Sequence, residues 1–403
     1  MDSLAAQRRS SGGAMKHDVI VCGAGIAGMA SALALTRAGV NVAVLAPRRA
    51  PAPMQGEQYH PRVYAISEAS QALLASLGIW DAMPQERITP VDAMQVNGDR
   101  DGQVVLDAWQ AAKSHLAWIV ESGEIERALF QALTIYGVPW IDDTMQVWQP
   151  GQVTTAGGVT LQAQLFIGAD GARSPLRSAA AMAHQKKDYG DQGLVTHLTC
   201  EKPHMNTAYQ WFNNHHVLAF LPMPDTSEGH QVSLVWSVDD ATADRFLQMD
   251  EATLGRALPE ALNEVAQGCL GTLKTRARLH GFPLTLEKAQ MAAQGVALVG
   301  DAAHRVHPLA GQGLNLGLGD VKALTQVLNE KEAFRSYGDL RVLERYARTR
   351  AADVMAMRVA TDGLYQLFSR DLPALPFLRN AGMNLVQQLP WVKRQLIAGA
   401  SGL

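Results

Sequence analysis

The sequence predicts an α/β protein in which one parallel-stranded unit is interrupted by a second, mainly antiparallel one. Three observations carry this expectation. An apolar run, Val19–Cys22, passes directly into Gly23-Ala24-Gly25-Ile26-Ala27-Gly28 and then into a helical pattern. Two further apolar runs, at 165–168 and 296–299, each end in a turn rich in Gly and Asp with a helix beyond it. Between those turns, segments from Gly193 onwards alternate apolar and polar residues with the period of strands.

The first run is a complete Rossmann-like βαβ unit, since the helical pattern through Ala32, Leu33 and Leu35 ends at Gly39 and a second strand follows at Val40–Leu45. Gly23 permits the tight turn, Gly25 lets a pyrophosphate approach the backbone, and Gly28 lets helix and strand pack closely. Phosphates then rest on the helix N-terminus, where unpaired N–H groups and the dipole favour negative charge. In this strand–turn–helix context the hexapeptide predicts a dinucleotide. The acidic residue that should end the second strand and hold ribose hydroxyls is Ala46, with Arg48 and Arg49 just beyond. An arginine there also suits NADP, so this unit alone leaves the dinucleotide open.

The second turn is Gly168-Ala169-Asp170-Gly171, followed by Ser174-Pro175 as N-cap and first turn of a helix. Asp170 can accept hydrogen bonds while Gly171 leaves backbone open to a ligand. The third is Gly300-Asp301-Ala302-Ala303-His304-Arg305-Val306-His307-Pro308, continuing through Leu309-Ala310-Gly311-Gln312-Gly313-Leu314-Asn315 into a helix. Asp301, after a strand, can bind sugar hydroxyls, and Gly311 and Gly313 open a helix whose N-terminus would aim amides at the ligand.

Together these motifs resemble the single-component (group A) flavin monooxygenases, and within them the ubiquinone-biosynthesis hydroxylases. The likeness runs from Met15 to Leu403 and includes Arg62-Val63-Tyr64-Ala65-Ile66-Ser67, Trp118-Ile119-Val120-Glu121, Ala219-Phe220-Leu221-Pro222 and Phe377-Leu378-Arg379-Asn380. The resemblance selects FAD over NADP and implies hydroxylation of the ring of a polyprenylated phenol by O2 through a flavin hydroperoxide. It also implies roles for particular residues. Gly23, Gly25 and Gly28 would hold the pyrophosphate, and Arg62 would face the flavin or the domain junction. Asp170 and Gly171 would border the groove, and Gly300 and Asp301 would reach the ribityl and phosphate region. Pro308, Gly311, Gln312, Gly313 and Asn315 would flank the isoalloxazine. Three positions depart from the family pattern: Ala46 for glutamate, Ser122 for asparagine, and His216-Val217 for Gly-Pro.

The expected division is a leader at 1–14, an FAD-binding domain at 15–185 and 281–330, a substrate domain at 186–280, and C-terminal helices at 331–403. The leader carries Arg8-Arg9, but the apolar run after it is too short for an export signal. Trp211, Phe220 and Pro222 are the candidate substrate wall, balanced against plain core packing. His307, beside Pro308, is the candidate catalytic residue, with His304 expected to brace the Asp301 turn and His215 and His216 expected in a loop. No second G-x-G-x-x-G occurs, so electrons would come from transient NAD(P)H or a protein donor.

Composition limits the alternatives. The 35 basic and 38 acidic residues nearly cancel, which leaves no field to hold a nucleic-acid backbone. Cys22, Cys200 and Cys269 are too widely spaced for a disulfide framework or metal site and fit a reducing cytoplasm. The apolar and basic mixture near the C-terminus, Leu375 to Ile397 with Arg379, Lys393 and Arg394, fits either a packed helix or peripheral contact with the inner membrane, or docking in a biosynthetic complex. Three rivals remain at this level: a hydroxylase of soluble aromatics, another FAD oxidoreductase such as a prenyl reductase, and a non-catalytic scaffold. The W-x-W-x-I-P motif of flavin halogenases is absent.

Overall fold

The computed structural model describes residues 15–98, 102–213, 216–306, 313–369 and 375–401. The expected leader, His215, His307, Pro308, Gly311 and Gln312 lie outside the described residues.

The first strand, Met15–Cys22, pairs in parallel with Val42–Leu45 on one side and Thr160–Gly168 on the other. Val19, Ile20 and Val21 are fully buried because helices and a second layer cover both faces, which is why this stretch reads as a continuous apolar run. Thr160–Gly168 pairs in turn with Val296–Leu298, again in parallel. Trp140–Ile141 extends the sheet beyond Val42–Leu45. Helix Ile26–Arg37 is buried from Ile26 to Leu35 and packs against helix Ser122–Ile135, so it is apolar around most of its girth.

Among the described residues, the second sheet has nine strands. Its centre is the antiparallel set His184–Cys200, Gly229–Asp239 and His216–Thr226, with His280–Ala289 on the other side of the first. Ala93–Asn97 and Gln103–Asp107, placed by sequence within the first segment, join this sheet, Ala93–Asn97 running parallel to Thr207–Asn213. No alternation in that segment distinguishes a strand that leaves its neighbours. A three-stranded sheet, Val63–Ile66, Ala117–Glu121 and Ile88–Val91, lies between the two larger ones.

The aromatic face of the second sheet corrects the substrate-wall expectation. Trp211 and Phe220 pack with Leu218, Leu234 and Trp236 against Phe246 and Leu258, on helices Asp240–Leu247 and Glu251–Ala266. The Trp211 and Phe220 rings meet edge-on at 5.5 Å, and Phe220 has no exposure. Pro222 pairs with Val232, a member of the same cluster, so the two-residue period turns it to that side as well. These residues are core, and the opposite face carries Val195, Ala208, Leu221 and Val235.

After the parallel sheet closes, helix Gly313–Asn329 leads to a 30-residue helix, Leu340–Ser369, and to Leu375–Gln388 and Pro390–Ser401. These last two dock on the outer strand of the second sheet. The Asn380 side chain accepts from the Gly102 amide at 2.8 Å, Gln387 accepts from Val105 at 2.9 Å, and Arg394 donates to the Gln110 carbonyl. Among the described residues, no helix is long and apolar enough to cross a membrane and no His, Cys, Asp and Glu group could hold a metal.

Phe220 is a core ring, so Phe220→Ala is expected to cost about 3–5 kcal/mol of stability, read by chemical denaturation. Unchanged stability with only a raised KM for substrate would return this ring to the substrate wall.

Candidate functional site

Three turns meet at one edge of the parallel sheet, because Met15–Cys22, Thr160–Gly168 and Val296–Leu298 are neighbours running the same way. Their carboxyl ends open together into a groove, the place where ligands bind open α/β sheets. Of the expected cofactor residues, Gly25, Gly28, Arg62, Gly171, Gly300, Asp301 and Gly313 line it.

The glycines show three separate constraints. Gly23 has φ +113°, and a Cβ there would lie 2.2 Å from the Ala169 carbonyl oxygen. A Cβ on Gly28 would lie 2.3 Å from the Gly23 carbonyl oxygen, so helix and turn touch only without a side chain. Around Gly25 nothing lies within 4 Å of that position, which leaves its backbone bare to the groove. A phosphate fits that cradle.

Asp170 sits behind the groove floor. One of its carboxylate oxygens accepts from the Leu176 amide at 3.1 Å, while Oδ1 is buried without a partner among the described residues. Burial raises its carboxyl above the ordinary range, opposed in part by the neighbouring Ser174 and Leu176. A buried acceptor with unused lone pairs is costly until a donor reaches it, and a hydroxyl-bearing cofactor would bring one. The residues present therefore fit an FAD.

Asp301 is exposed at the groove, with Arg305 Nε 3.8 Å from its carboxylate. Arg62 spreads its guanidinium over the rings of Tyr64 at 5.8 Å and Phe282 at 5.7 Å, which fixes a cation between the three-stranded sheet and the second sheet at the groove. Across from it stands Glu126, whose carboxyl burial pushes up while the charges of His60 and Arg62 pull it down. Asn315 spends its side chain on the backbone, accepting from Ser67 N at 3.0 Å and donating to the Ala65 carbonyl at 2.8 Å. It ties helix Gly313–Asn329 to strand Val63–Ile66.

His304 braces the Asp301 turn, as expected, and does so through Asp320. Its Nε2 lies 2.7 Å from Asp320 Oδ2, and both side chains are buried. Asp320 also accepts from the Gly300 amide at 3.0 Å and from Arg350 Nε at 2.9 Å. The sequence reading missed this junction. Its signal was available: Asp320 occupies the buried stripe of an apolar helix, four residues from both Leu316 and Leu324. His216 opens a strand rather than sitting in a loop and pairs with Asp239 at 3.3 Å, away from the groove. Ser122, where the family pattern has asparagine, holds His60 Nδ1 at 2.8 Å beside the buried Glu121, which accepts from Arg87.

Residues 16–361 match the family described as FAD binding domain. With the relatives that follow, this match makes the chain an FAD-dependent monooxygenase. The chain is 34% identical to 3-demethoxyubiquinol 3-hydroxylase of Escherichia coli (strain K12), over 96% of this chain and 98% of that one. It is 30% identical to the mitochondrial ubiquinone biosynthesis monooxygenase COQ6 of Homo sapiens, over 99% and 96%. The chain belongs to the family of FAD-dependent ubiquinone-biosynthesis hydroxylases. Among solved structures, p-nitrophenol 4-monooxygenase PnpA from Pseudomonas putida DLL-E4 superposes with a TM-score of 0.75 at 18% identity, covering 96% of this chain and 99% of that one, a likeness of fold.

Two outcomes follow for stability. Asp320→Ala leaves Arg350 and His304 buried without their carboxylate and costs about 3–5 kcal/mol, measured by denaturant unfolding of the apoprotein. His197, beside His60, has its imidazole pushed down to about 4 from an ordinary 6.5 by burial. Between those values the unfolded chain binds the extra proton, so stability falls as pH falls through that window. His197→Gln removes about 3 kcal/mol of the loss. A pH-dependence unchanged by the substitution would overturn the assignment.

Proposed function

We propose that the protein hydroxylates the aromatic ring of a polyprenylated phenol, with the ring held next to the cofactor groove and the tail in a separate apolar cavity. One observation carries this reading. A second cavity adjoins the groove along strand Val63–Ile66 and the start of helix Gly313–Asn329: Val63, Tyr64 and Leu314 line the groove, while Ala65, Ser67 and Asn315 line the cavity. Val91, Met94, Leu106, Leu116, Ile119 and Leu221 line it, with Asn315 and Ser67 as its polar members, and Leu396 and Ile397 of the last helix close it.

Bound FAD would supply the two-electron activation of O2 and delivery of one oxygen atom. In balance, a ring C–H, O2, two electrons and two protons give a ring C–OH and water. Gly25 would offer the phosphates a bare turn that the close packing of Gly28 keeps in place, Asp170 and Asp301 would accept from ligand hydroxyls, and the N-terminus of helix Gly313–Asn329 would offer its first amides to the flavin. A positive helix end there favours the negative charge of the reduced ring. The cavity walls exclude water from the reacting face and hold an isoprenoid by area alone. Electrons arrive from transiently bound NAD(P)H or from a protein donor.

The tail reaches its cavity from the surface of the last two helices, which present Leu385, Trp391 and Leu396 to solvent. Leu396 belongs to both the exposed set and the cavity lining, so an isoprenoid could pass between a membrane surface and the site. This fits peripheral contact of a cytoplasmic protein with the inner membrane, alone or within a biosynthetic complex.

The test is incorporation of isotopic O2 into a prenylated phenol by the purified, FAD-loaded enzyme. Asp301→Ala is expected to fold and to lose oxygen-dependent product; retained activity without bound FAD would sink the proposal. Ala208→Leu narrows the apolar cavity and should raise KM for a tailed substrate about tenfold, with a tail-free phenol unaffected. Equal effects on both would favour a hydroxylase of soluble aromatics.

A further inference from the structure

The second strand of the dinucleotide unit ends without the carboxylate that should hold the adenosine ribose, because Ala46 occupies that position. We infer that Asp142, from the neighbouring strand, supplies it. The inference rests on FAD as the cofactor.

Strand Trp140–Ile141 runs parallel to Val42–Leu45, with Val44 opposite Trp140 and Leu45 opposite Ile141. The pairing continues one residue further, since the Ala46 amide donates to the Ile141 carbonyl at 3.2 Å. Asp142 therefore follows directly at the carboxyl edge where Ala46 stands, one strand spacing of about 4.8 Å farther out. Its side chain turns back over that edge, for Oδ1 accepts from the Arg48 amide at 2.7 Å, two residues past Ala46. Oδ2 has no partner among the described residues, and the side chain is exposed.

The neighbouring groups do not offer the same acceptor. Asp143 uses both oxygens, taking the Thr144 amide at 2.7 Å and the Gly157 amide at 2.9 Å. Arg48 lies over the Phe130 ring at 5.7 Å and brings no acceptor. The Arg48 amide thus fixes one oxygen of Asp142 and leaves the other to accept from a ribose hydroxyl. A carboxylate that a longer side chain at position 46 would supply from below arrives here from the side.

The experiment measures FAD and FMN binding to the full-length apoprotein by quenching of flavin fluorescence. FMN lacks the adenosine half, so it reports on the rest of the groove. Asp142→Ala should weaken FAD about tenfold or more and leave FMN unchanged. Adding Ala46→Glu to that variant should restore FAD affinity. An Asp142→Ala protein that binds FAD as tightly as the parent would overturn the inference, as would equal losses for FAD and FMN, which signal a collapsed groove. Failure of the unaltered apoprotein to bind FAD would instead remove the cofactor assignment on which the inference stands.

Discussion

The structure depends on one buried carboxylate. Asp320 has no exposure, yet it is held by the Gly300 amide and the His304 ring of one turn and by the Arg350 guanidinium of the long helix Leu340–Ser369. Burying a charge in this way is expensive, and the cost is offset only if every lone pair finds a donor. Here the donors lie on the turn that carries Asp301, on the residue that lines the groove, and on the long helix Leu340–Ser369. Arg350 in turn donates to the Leu316 carbonyl, and Tyr346 of the same helix donates to the Leu298 carbonyl at 2.7 Å. Helix Leu340–Ser369 is thereby fastened to the end of the third parallel strand and to the turn that carries Asp301.

A second junction does the same for the other wall. Glu121, 1% exposed, accepts from Arg87 and from the His60 amide, and His60 carries the Ser122 hydroxyl on its ring. His197, from the second sheet, reaches the His60 carbonyl. The loop before Arg62 is therefore pinned both to the three-stranded sheet and to the antiparallel one. With Asn315 bridging Ser67 and Ala65, the strand Val63–Ile66 is held at both ends.

Much of this was legible in the sequence where function imposes local rules. The three glycine and aspartate turns could be placed because each follows an apolar strand, and parallel neighbours necessarily bring their carboxyl ends to one edge. The same reasoning could not tell which face of the antiparallel sheet looks inward. Trp211 and Phe220 alternate correctly, but alternation has two phases, and only helices Asp240–Leu247 and Glu251–Ala266 decide between them. The excursion of 93–107 into the second sheet and the Glu121–Arg87 pair are long-range, without a local signature. Asp320 is a different matter: a charge on a buried helical stripe is itself a signal, and it points to a partner that sequence cannot name.

The departures from the family pattern are answered within the same physical terms. Ser122 is shorter than asparagine, and the space beside it is filled by His60, whose ring lies so close that a Cβ on Gly123 would sit 2.8 Å from it. Ala46 lacks a carboxylate, and the adjacent strand places Asp142 against the same loop. His216 in place of glycine gains Asp239 as a partner, which is also the N-cap of helix Asp240–Leu247. In each case the altered residue lies beside a polar group on a neighbouring element. The fold fixes positions in space at which a donor or acceptor is needed, and it accepts that group from whichever strand or loop can reach.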